Sequence, residues 1–285
     1  MASSSSSNFI NFNGTSIPSG TPVLTADNRG FRYGDGIFET ITIKDGHIRL
    51  GPYHFERLMA GARVLQFYLP PLFTTERLTE QILQLCEKNG HSALARVRLT
   101  VFRDDGGLSD PGDHFPHYII QSWDLPPGSD EFNGDGLIID LFPDGRKSCD
   151  PFSNLKSNNF LLYALAALYA RKNGLHDCLV LNSHERIADS TIANLFYIQG
   201  GKIYTPPLSE GCVAGVMRRL LLELLPQAGF TILEKATTIE DLAAAEEIFL
   251  TNALKGIKWV RSFRRPTYSS TLTRAVYQEL IPSLI

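Results

Sequence analysis

Ser153-Asn154-Leu155-Lys156-Ser157-Asn158-Asn159 runs directly into the apolar stretch Phe160–Ala170. That stretch continues to Lys172 and stops at Asn173-Gly174, which reads as a helix with a breaker after it. A lysine at the mouth of an apolar helix is an unusual place for a strongly hydrated charge. If desolvated, it sheds its proton easily and becomes an amine nucleophile, the group that Schiff-base chemistry needs. By itself the position also suits a solvated surface lysine, so the surrounding chain must decide.

Outward from Lys156, the larger half of the chain reads as strands and helices. Leu137–Phe142, Asp177–Leu181, Leu195–Gln199 and Glu247–Thr251 read as strands, with Gly200-Gly201 as a hairpin turn and Gly215–Leu225 as a helix. Toward the N-terminus, Phe9–Phe12 is followed by Asn13-Gly14, and Ile37–Ile43, Asp45-Gly46 and His47–Leu50 read as a strand, a tight hairpin and a strand. His54–Leu65 and Thr75–Lys88 have helical spacing, and Ala95–Phe102 alternates as a half-buried strand before the polar loop Asp104–Pro116 and the strand Tyr118–Trp123. The prolines and glycine of Leu125–Asp130 mark a boundary. The expected organisation is an α/β (α+β) chain: a polar tail at 1–8, a smaller mixed α/β domain at 9–124, a linker at 125–132 and a larger β-rich, barrel-like domain at 133–285.

Composition excludes several classes. The 285 residues carry a formal net charge of −3, which leaves no basic footprint for nucleic acid. No apolar run approaches the ~20 residues of a membrane span. The serine-rich start has neither the basic nor the apolar part of a secretory signal. Cys86, Cys149, Cys178 and Cys212 are far apart without metal-ligand spacing, and read as reduced thiols of a cytoplasmic protein with no metal.

Downstream of Lys156, Arg186-Ile187-Ala188-Asp189-Ser190-Thr191-Ile192-Ala193-Asn194-Leu195-Phe196 reads as a compact polar turn entering a strand. Tyr204-Thr205-Pro206-Pro207 follows, and then Gly211-Cys212-Val213-Ala214-Gly215-Val216-Met217-Arg218, a glycine opening a helix whose amides can hold a phosphate. Upstream stand Asn28-Arg29-Gly30-Phe31-Arg32-Tyr33-Gly34-Asp35-Gly36-Ile37-Phe38-Glu39-Thr40 and His54-Phe55-Glu56-Arg57-Leu58. As bare patterns, Asp189 also suits a turn cap, Arg57 a helix-surface charge and Met217 simple packing. Taken in order, however, these motifs resemble the class IV (fold type IV) pyridoxal-phosphate aminotransferase family, from about Asn13 to Val260. That family includes D-amino-acid aminotransferases, branched-chain aminotransferases and aminodeoxychorismate lyases.

The resemblance implies the cofactor pyridoxal 5′-phosphate and a role for each matched residue. Lys156 would carry the cofactor as a Schiff base and then move the substrate proton. Asp189 stands where the family has a glutamate that pairs with the pyridine nitrogen; it is shorter by ~1.5 Å on ordinary bond lengths. Arg57 would clamp the phosphate. Val216 and Met217 would offer it backbone amides, and Asn194 and Asn252 lie on matched loops. Tyr33 and Phe38 would line the substrate pocket. The Arg-x-His carboxylate trap of D-amino-acid enzymes has no counterpart in Tyr118–Asp124, which leaves Arg32 and Arg186 as candidates for the substrate carboxylate, or as surface charges. The expected activity is transfer of an amino group between a D-amino acid, such as D-glutamate or D-alanine, and a 2-oxo acid. Release of 4-aminobenzoate and pyruvate from aminodeoxychorismate is the alternative, and branched-chain L-amino-acid transamination comes third. A homodimer is the assembly implied.

Overall fold

The structure is a computed structural model that describes residues 8–280 apart from 111, 265 and 266. Residues 1–7, most of the expected polar tail, lie outside the described residues. The chain packs as two compact units. One comprises Met1–Ser129 together with Lys156–Asn159, the other Asp130–Leu155 together with Phe160–Ile285. The division falls inside the proline- and glycine-bearing stretch Leu125–Asp130, and Lys156 belongs to the first unit although the chain on both sides of its segment belongs to the second.

The first unit contains β1 (Phe9–Phe12), β2 (Thr15–Pro18), α1 (Arg29–Tyr33), β3 (Gly36–Lys44), β4 (His47–Ile48), α2 (Gly51–Val64), α3 (Thr75–Asn89), β5 (Leu94–Phe102) and β6 (His117–Asp124). Its six strands form one antiparallel sheet in the order β2-β1-β6-β5-β3-β4. Asp45 and Gly46 both take positive φ, as a two-residue hairpin turn requires. The period-2 alternation puts Ile41, Ile43, Val97, Leu99 and Ile120 on the face that packs against Leu58, Leu78 and Ile82 of α2 and α3. The opposite face is left with Phe38, Thr40, Arg96, Arg98, Gln121 and Trp123.

The second unit contains β7 (Leu137–Lys147), α4 (Leu161–Lys172), β8 (Asp177–Asn182), β9 (Ile187–Ser190), β10 (Asn194–Gln199), β11 (Lys202–Thr205), α5 (Val216–Leu224), β12 (Ile232–Glu234), α6 (Ile239–Ala243), β13 (Glu247–Asn252), β14 (Gly256–Phe263) and α7 (Thr271–Leu280). Its eight strands run β12-β11-β10-β13-β14-β7-β8-β9 and curl as a half-barrel. Three of its pairs are parallel, β7–β8, β11–β12 and β14–β7, and parallel neighbours need crossovers. The β7–β8 pair is joined through α4, and the β11–β12 pair through α5. Loops at the carboxyl ends of such strands are where α/β sheets bind ligands. Among the described residues, no helix is long and apolar enough to cross a membrane.

Three elements differ from the sequence expectation. Strand β7 continues to Lys147, well past Phe142, with its register against β8 shifted between Leu141 and Arg146. The stretch around Asp189 is a strand, β9, and not a polar turn: all four of its residues are buried, and Val180 pairs with Asp189. Burial on both faces erases the alternation by which a strand is recognised. Arg29–Tyr33 forms a short helix, because Asn28 caps it through the Phe31 amide and Gly34 closes it in the left-handed region.

A buried carboxylate anchors the last helix. Glu247 accepts from the Leu272 amide (2.9 Å), the Thr273 amide (2.8 Å), the Thr273 hydroxyl (2.7 Å) and the Ser269 hydroxyl (3.0 Å). Glu247→Ala leaves those donors unpaired and is expected to cost about 2–3 kcal/mol, read by urea denaturation, with hydrogen-exchange protection lost first in α7.

Candidate active site

Lys156 owes its place to two glycines and a backbone ladder. The Phe38 amide donates to the Lys156 carbonyl at 2.8 Å, and the Asn158 amide donates to the Gly36 carbonyl at 2.9 Å, so residues 156–158 run antiparallel beside the start of β3. A Cβ at Gly36 would lie 2.4 Å from the Val101 carbonyl oxygen and 2.5 Å from the Asn158 side chain. Only glycine lets the segment come this close. At Gly34, with φ +66, a Cβ would lie 2.5 Å from Asn159. The turn between them is held by Asp35, which takes Arg29 (2.8 Å) and Arg103 (2.7 Å). Tyr33 is flanked by the guanidiniums of Arg29 and Arg32.

The side chain of Lys156 places its ammonium 4.5 Å from the centre of the Phe38 ring. Arg98, on β5 opposite Thr40, covers the same ring at 3.7 Å. Arg96, two residues earlier on the same face, lies over Trp123, and its Nε is buried without a partner. Arg98 Nε donates to the neutral Thr100 hydroxyl at 3.1 Å, and neither arginine has an acidic partner among the described residues. Burial, and then Arg96 itself, hold Arg98 down to about 10. Two half-buried, uncompensated guanidiniums beside a lysine are costly unless an anion arrives to balance them.

Behind that face, Glu39 is fully buried in the core and binds Arg57 through both oxygens (Nε 2.7 Å, Nη2 2.5 Å) and His54 through Nδ1 (2.6 Å). Burial alone would raise Glu39, but Arg57 and His54 outweigh it and bring its pKa down to about 2. His54 is lowered, chiefly by burial, with smaller contributions from the charges of Arg57 and Lys156. The ion pair fixes the plane of the Arg57 guanidinium.

In the second unit, Asp189 accepts from the Tyr163 hydroxyl (3.0 Å to each oxygen) and from the Val213 amide (2.9 Å), and it faces the Lys147 ammonium at 3.5 Å. Asn194 donates to the Val213 carbonyl, and its Oδ1 lies 1.9 Å from where a Gly215 Cβ would be. Gly215 is the N-cap of α5 and provides no side-chain cap, so the first-turn amides, including those of Val216 and Met217, point outward without an intrahelical acceptor. Opposite Asn194 in the ladder is Thr251, whose buried hydroxyl has no partner. Asn252 turns its Oδ1 to the amides of Leu254 and Lys255.

The two arginines expected to meet a substrate carboxylate are already engaged. Arg186 is bound by both oxygens of Glu210 (2.6 and 2.8 Å), and Arg32 pairs with Asp27 at 3.3 Å. Sequence reasoning passed over Arg96 and Arg98, although their i, i+2 spacing on a recognised strand puts both on one face. It also passed over Glu39, a lone acid within the apolar run Ile37–Ile43, and Lys147, which fell beyond the end given to its strand.

Residues 36–263 match the amino-transferase class IV family, and the chain belongs to that family. An aminodeoxychorismate lyase of Vibrio harveyi is 29% identical over 242 residues, covering 84% of this chain and 87% of that protein. A branched-chain-amino-acid aminotransferase of Escherichia coli K12 is 24% identical over 265 residues, covering 89% and 84%. Among solved structures, the Escherichia coli branched-chain amino acid aminotransferase superposes with a TM-score of 0.86 at 22% identity, covering 98% of this chain and 94% of that one. A hypothetical aminotransferase from Mycobacterium tuberculosis in its PLP-bound form gives 0.83 at 18%, covering 97% and 99%. The fold is thus that of the fold type IV enzymes, and the protein is an enzyme of the class IV aminotransferase family, whose cofactor is pyridoxal 5′-phosphate.

The residues present fit that cofactor. The start of α5 has no side-chain cap and a Cβ at Gly215 would meet Asn194, which suits a bound phosphate, and the buried Thr251 hydroxyl lacks a partner; the second unit offers a carboxylate and the first a lysine amine, the two functional groups that the pyridine ring and the aldehyde require.

The Glu39 pair makes a pH prediction. Its folded pKa lies below the unfolded value, so the stability it contributes is present above about pH 4.5 and is lost as pH falls toward 2, amounting to roughly 3 kcal/mol at most. Denaturant midpoints should fall across that window, and Glu39→Gln should flatten the fall while lowering the neutral-pH midpoint.

Proposed function

We propose that this enzyme acts on an amine substrate carrying two carboxylates, which Arg98 and Arg96 receive, and that its reaction is the release of 4-aminobenzoate and pyruvate from aminodeoxychorismate. The observation that carries the reading is the uncompensated guanidinium pair on the sheet face where Lys156 meets Phe38. Lyases of Vibrio harveyi and Bacillus subtilis at 29% and 28% identity support the choice. Transamination of D-glutamate is the second reading. It is supported by the Tyr33–Glu39 turn and by the same arginine pair, whereas D-alanine, with one carboxylate, suits the pair less well.

Each residue then has a task. Lys156 would hold the cofactor's aldehyde carbon; once released by the substrate amine, it would take the proton from the amine-bearing ring carbon and give it to the departing enolpyruvate, whose loss breaks the neighbouring C–O bond and leaves the ring aromatic. Asp189 keeps a proton on the ring nitrogen. By the family's pattern, Arg57, with its plane fixed by Glu39, would bind the phosphate, as would the amides of Val216 and Met217, next to Asn194 in the second unit. Asn252 shapes the loop after β13. Tyr33 and Phe38 bound the substrate, and Phe38 excludes water from the Lys156 amine. Bound pyridoxal phosphate supplies the electron sink that lets the α-proton leave.

A homodimer accompanies this reading, supported by an exposed apolar stripe on α4 at Leu161, Leu165 and Leu168. Sedimentation velocity at micromolar concentration reads it directly, and a monomer refutes it.

Borohydride reduction of the loaded enzyme followed by peptide mapping should find the cofactor on Lys156, and Lys156→Ala should lose turnover by at least 10³-fold with the fold retained. A label on Lys147, or a protein that neither turns yellow nor takes up label, sinks the assignment. Supplying aminodeoxychorismate should yield 4-aminobenzoate, with Arg98→Gln raising KM by about tenfold or more. If the cofactor is instead converted to its pyridoxamine form by D-glutamate while aminodeoxychorismate is left intact, transamination is the activity.

A further inference from the structure

Asp189 lies on β9 at 2% exposure, and all the groups around it come from the same unit. Tyr163 on α4 and the Val213 amide donate to it. The remaining charged neighbour is Lys147, the last residue of β7, also buried, with its ammonium 3.5 Å from Oδ2 and in a short hydrogen bond to the Tyr163 hydroxyl. A lysine ammonium only donates. The Tyr163 oxygen therefore accepts from Lys147, and the phenol proton is committed to Asp189. Burial first, and then the charge of Asp189, hold the Tyr163 pKa well above the ordinary tyrosine value, so that proton stays in place. The other titratable group at this spot is Cys212, whose thiol burial and Asp189 push up to about 12, which keeps it neutral. Arg218 acts on Cys212 from α5 but is bound to Glu234 and to the Pro206 carbonyl. The local balance is one buried carboxylate against one buried ammonium, with the direction of the connecting hydrogen bonds fixed.

We infer that Lys147 is a positioning residue for Asp189: acting directly and through Tyr163, it balances the carboxylate before cofactor binds and limits how tightly Asp189 holds the proton on the ring nitrogen of bound pyridoxal phosphate. The inference rests on the reading of Asp189 as the partner of that nitrogen. With Lys147 present, a protonated ring nitrogen is the second cation beside one anion. Without it, the ring proton becomes the sole balancing charge for a carboxylate out of water, and a buried uncompensated charge holds its partner far more strongly. Lys147 therefore sets the strength of the electron sink without touching substrate. The chain carries this lysine together with an aspartate in place of the family's longer glutamate.

The test loads the enzyme and its variants with pyridoxal 5′-phosphate labelled with 15N in the ring and follows the ring-nitrogen shift against pH by NMR. Thermal midpoints of the apo and loaded forms are measured alongside. Lys147→Met should keep the ring proton to a pH higher by about one unit or more, and cofactor should raise its midpoint more than it raises the wild-type midpoint. Lys147→Arg, which keeps the charge, should titrate as wild type. Lys147→Gln keeps a donor for Tyr163 and gives the same reading as Lys147→Met if the latter fails to fold. Neutral variants that titrate as wild type, or that lose equal stability in apo and loaded forms, overturn the role of Lys147. Asp189→Asn separates the two levels. If it lowers the pH at which the ring proton is lost while the Lys147 variants do nothing, only the Lys147 inference fails. If it leaves the titration unmoved, the assignment of Asp189 itself is wrong.

Discussion

A carboxylate taken out of water must be paired, and the chemistry of this protein is organised around two that are. Glu39 in the first unit and Asp189 in the second are both buried, and each finds its partners on other elements of its own unit. Glu39 ties β3 to α2 by binding Arg57 and His54. Asp189 ties β9 to β7, α4 and the loop before α5 by binding Lys147, Tyr163 and the Val213 amide. Removing one member of such a set leaves the others as buried, unbalanced polar groups, which costs far more than the net value of any single bond. These pairs thus join the cohesion of each unit to the orientation of the groups proposed to hold the cofactor.

Glycine performs the complementary task of admitting close approach. Gly36 lets residues 156–158 hydrogen-bond along the edge of β3, which fixes the backbone of Lys156, and Gly215 leaves the first amides of α5 uncapped beside Asn194. In both places a methyl group would occupy space already taken by a carbonyl or an amide. The positions of Lys156 and of the uncapped start of α5 are consequences of what is absent from the side chains next to them.

Much of this was legible in the chain. The Asp-Gly hairpin, the helices over α2 and α3, the half-barrel character of the second unit and the family itself follow from short-range patterns: turn residues, a 3.6-residue or two-residue period, and motifs in a fixed order. The readings that changed were those where short-range pattern and long-range environment part company. Strand β9 is buried on both faces and shows no alternation, so Asp189 looked like part of a turn. Lys147 fell outside the strand read at Leu137–Phe142 because β7 shifts register between Leu141 and Arg146 and resumes as far as Lys147. Arg32 and Arg186 looked available because a sequence does not reveal that Asp27 and Glu210 engage them.

The sequence by itself determined the element types, the family and, through the ordered motifs, which lysine and which carboxylate to examine, because those depend on local periodicity and on residue types at set spacings. Only the tertiary structure decided which charges are compensated. It pairs Arg186 with Glu210 and Arg57 with Glu39, leaves Arg96 and Arg98 without an acidic partner among the described residues, and brings Lys147 to Asp189 across 42 residues of chain. Charge balance acts over a few ångströms in space and without regard to distance along the chain, so it becomes readable only once the chain has folded.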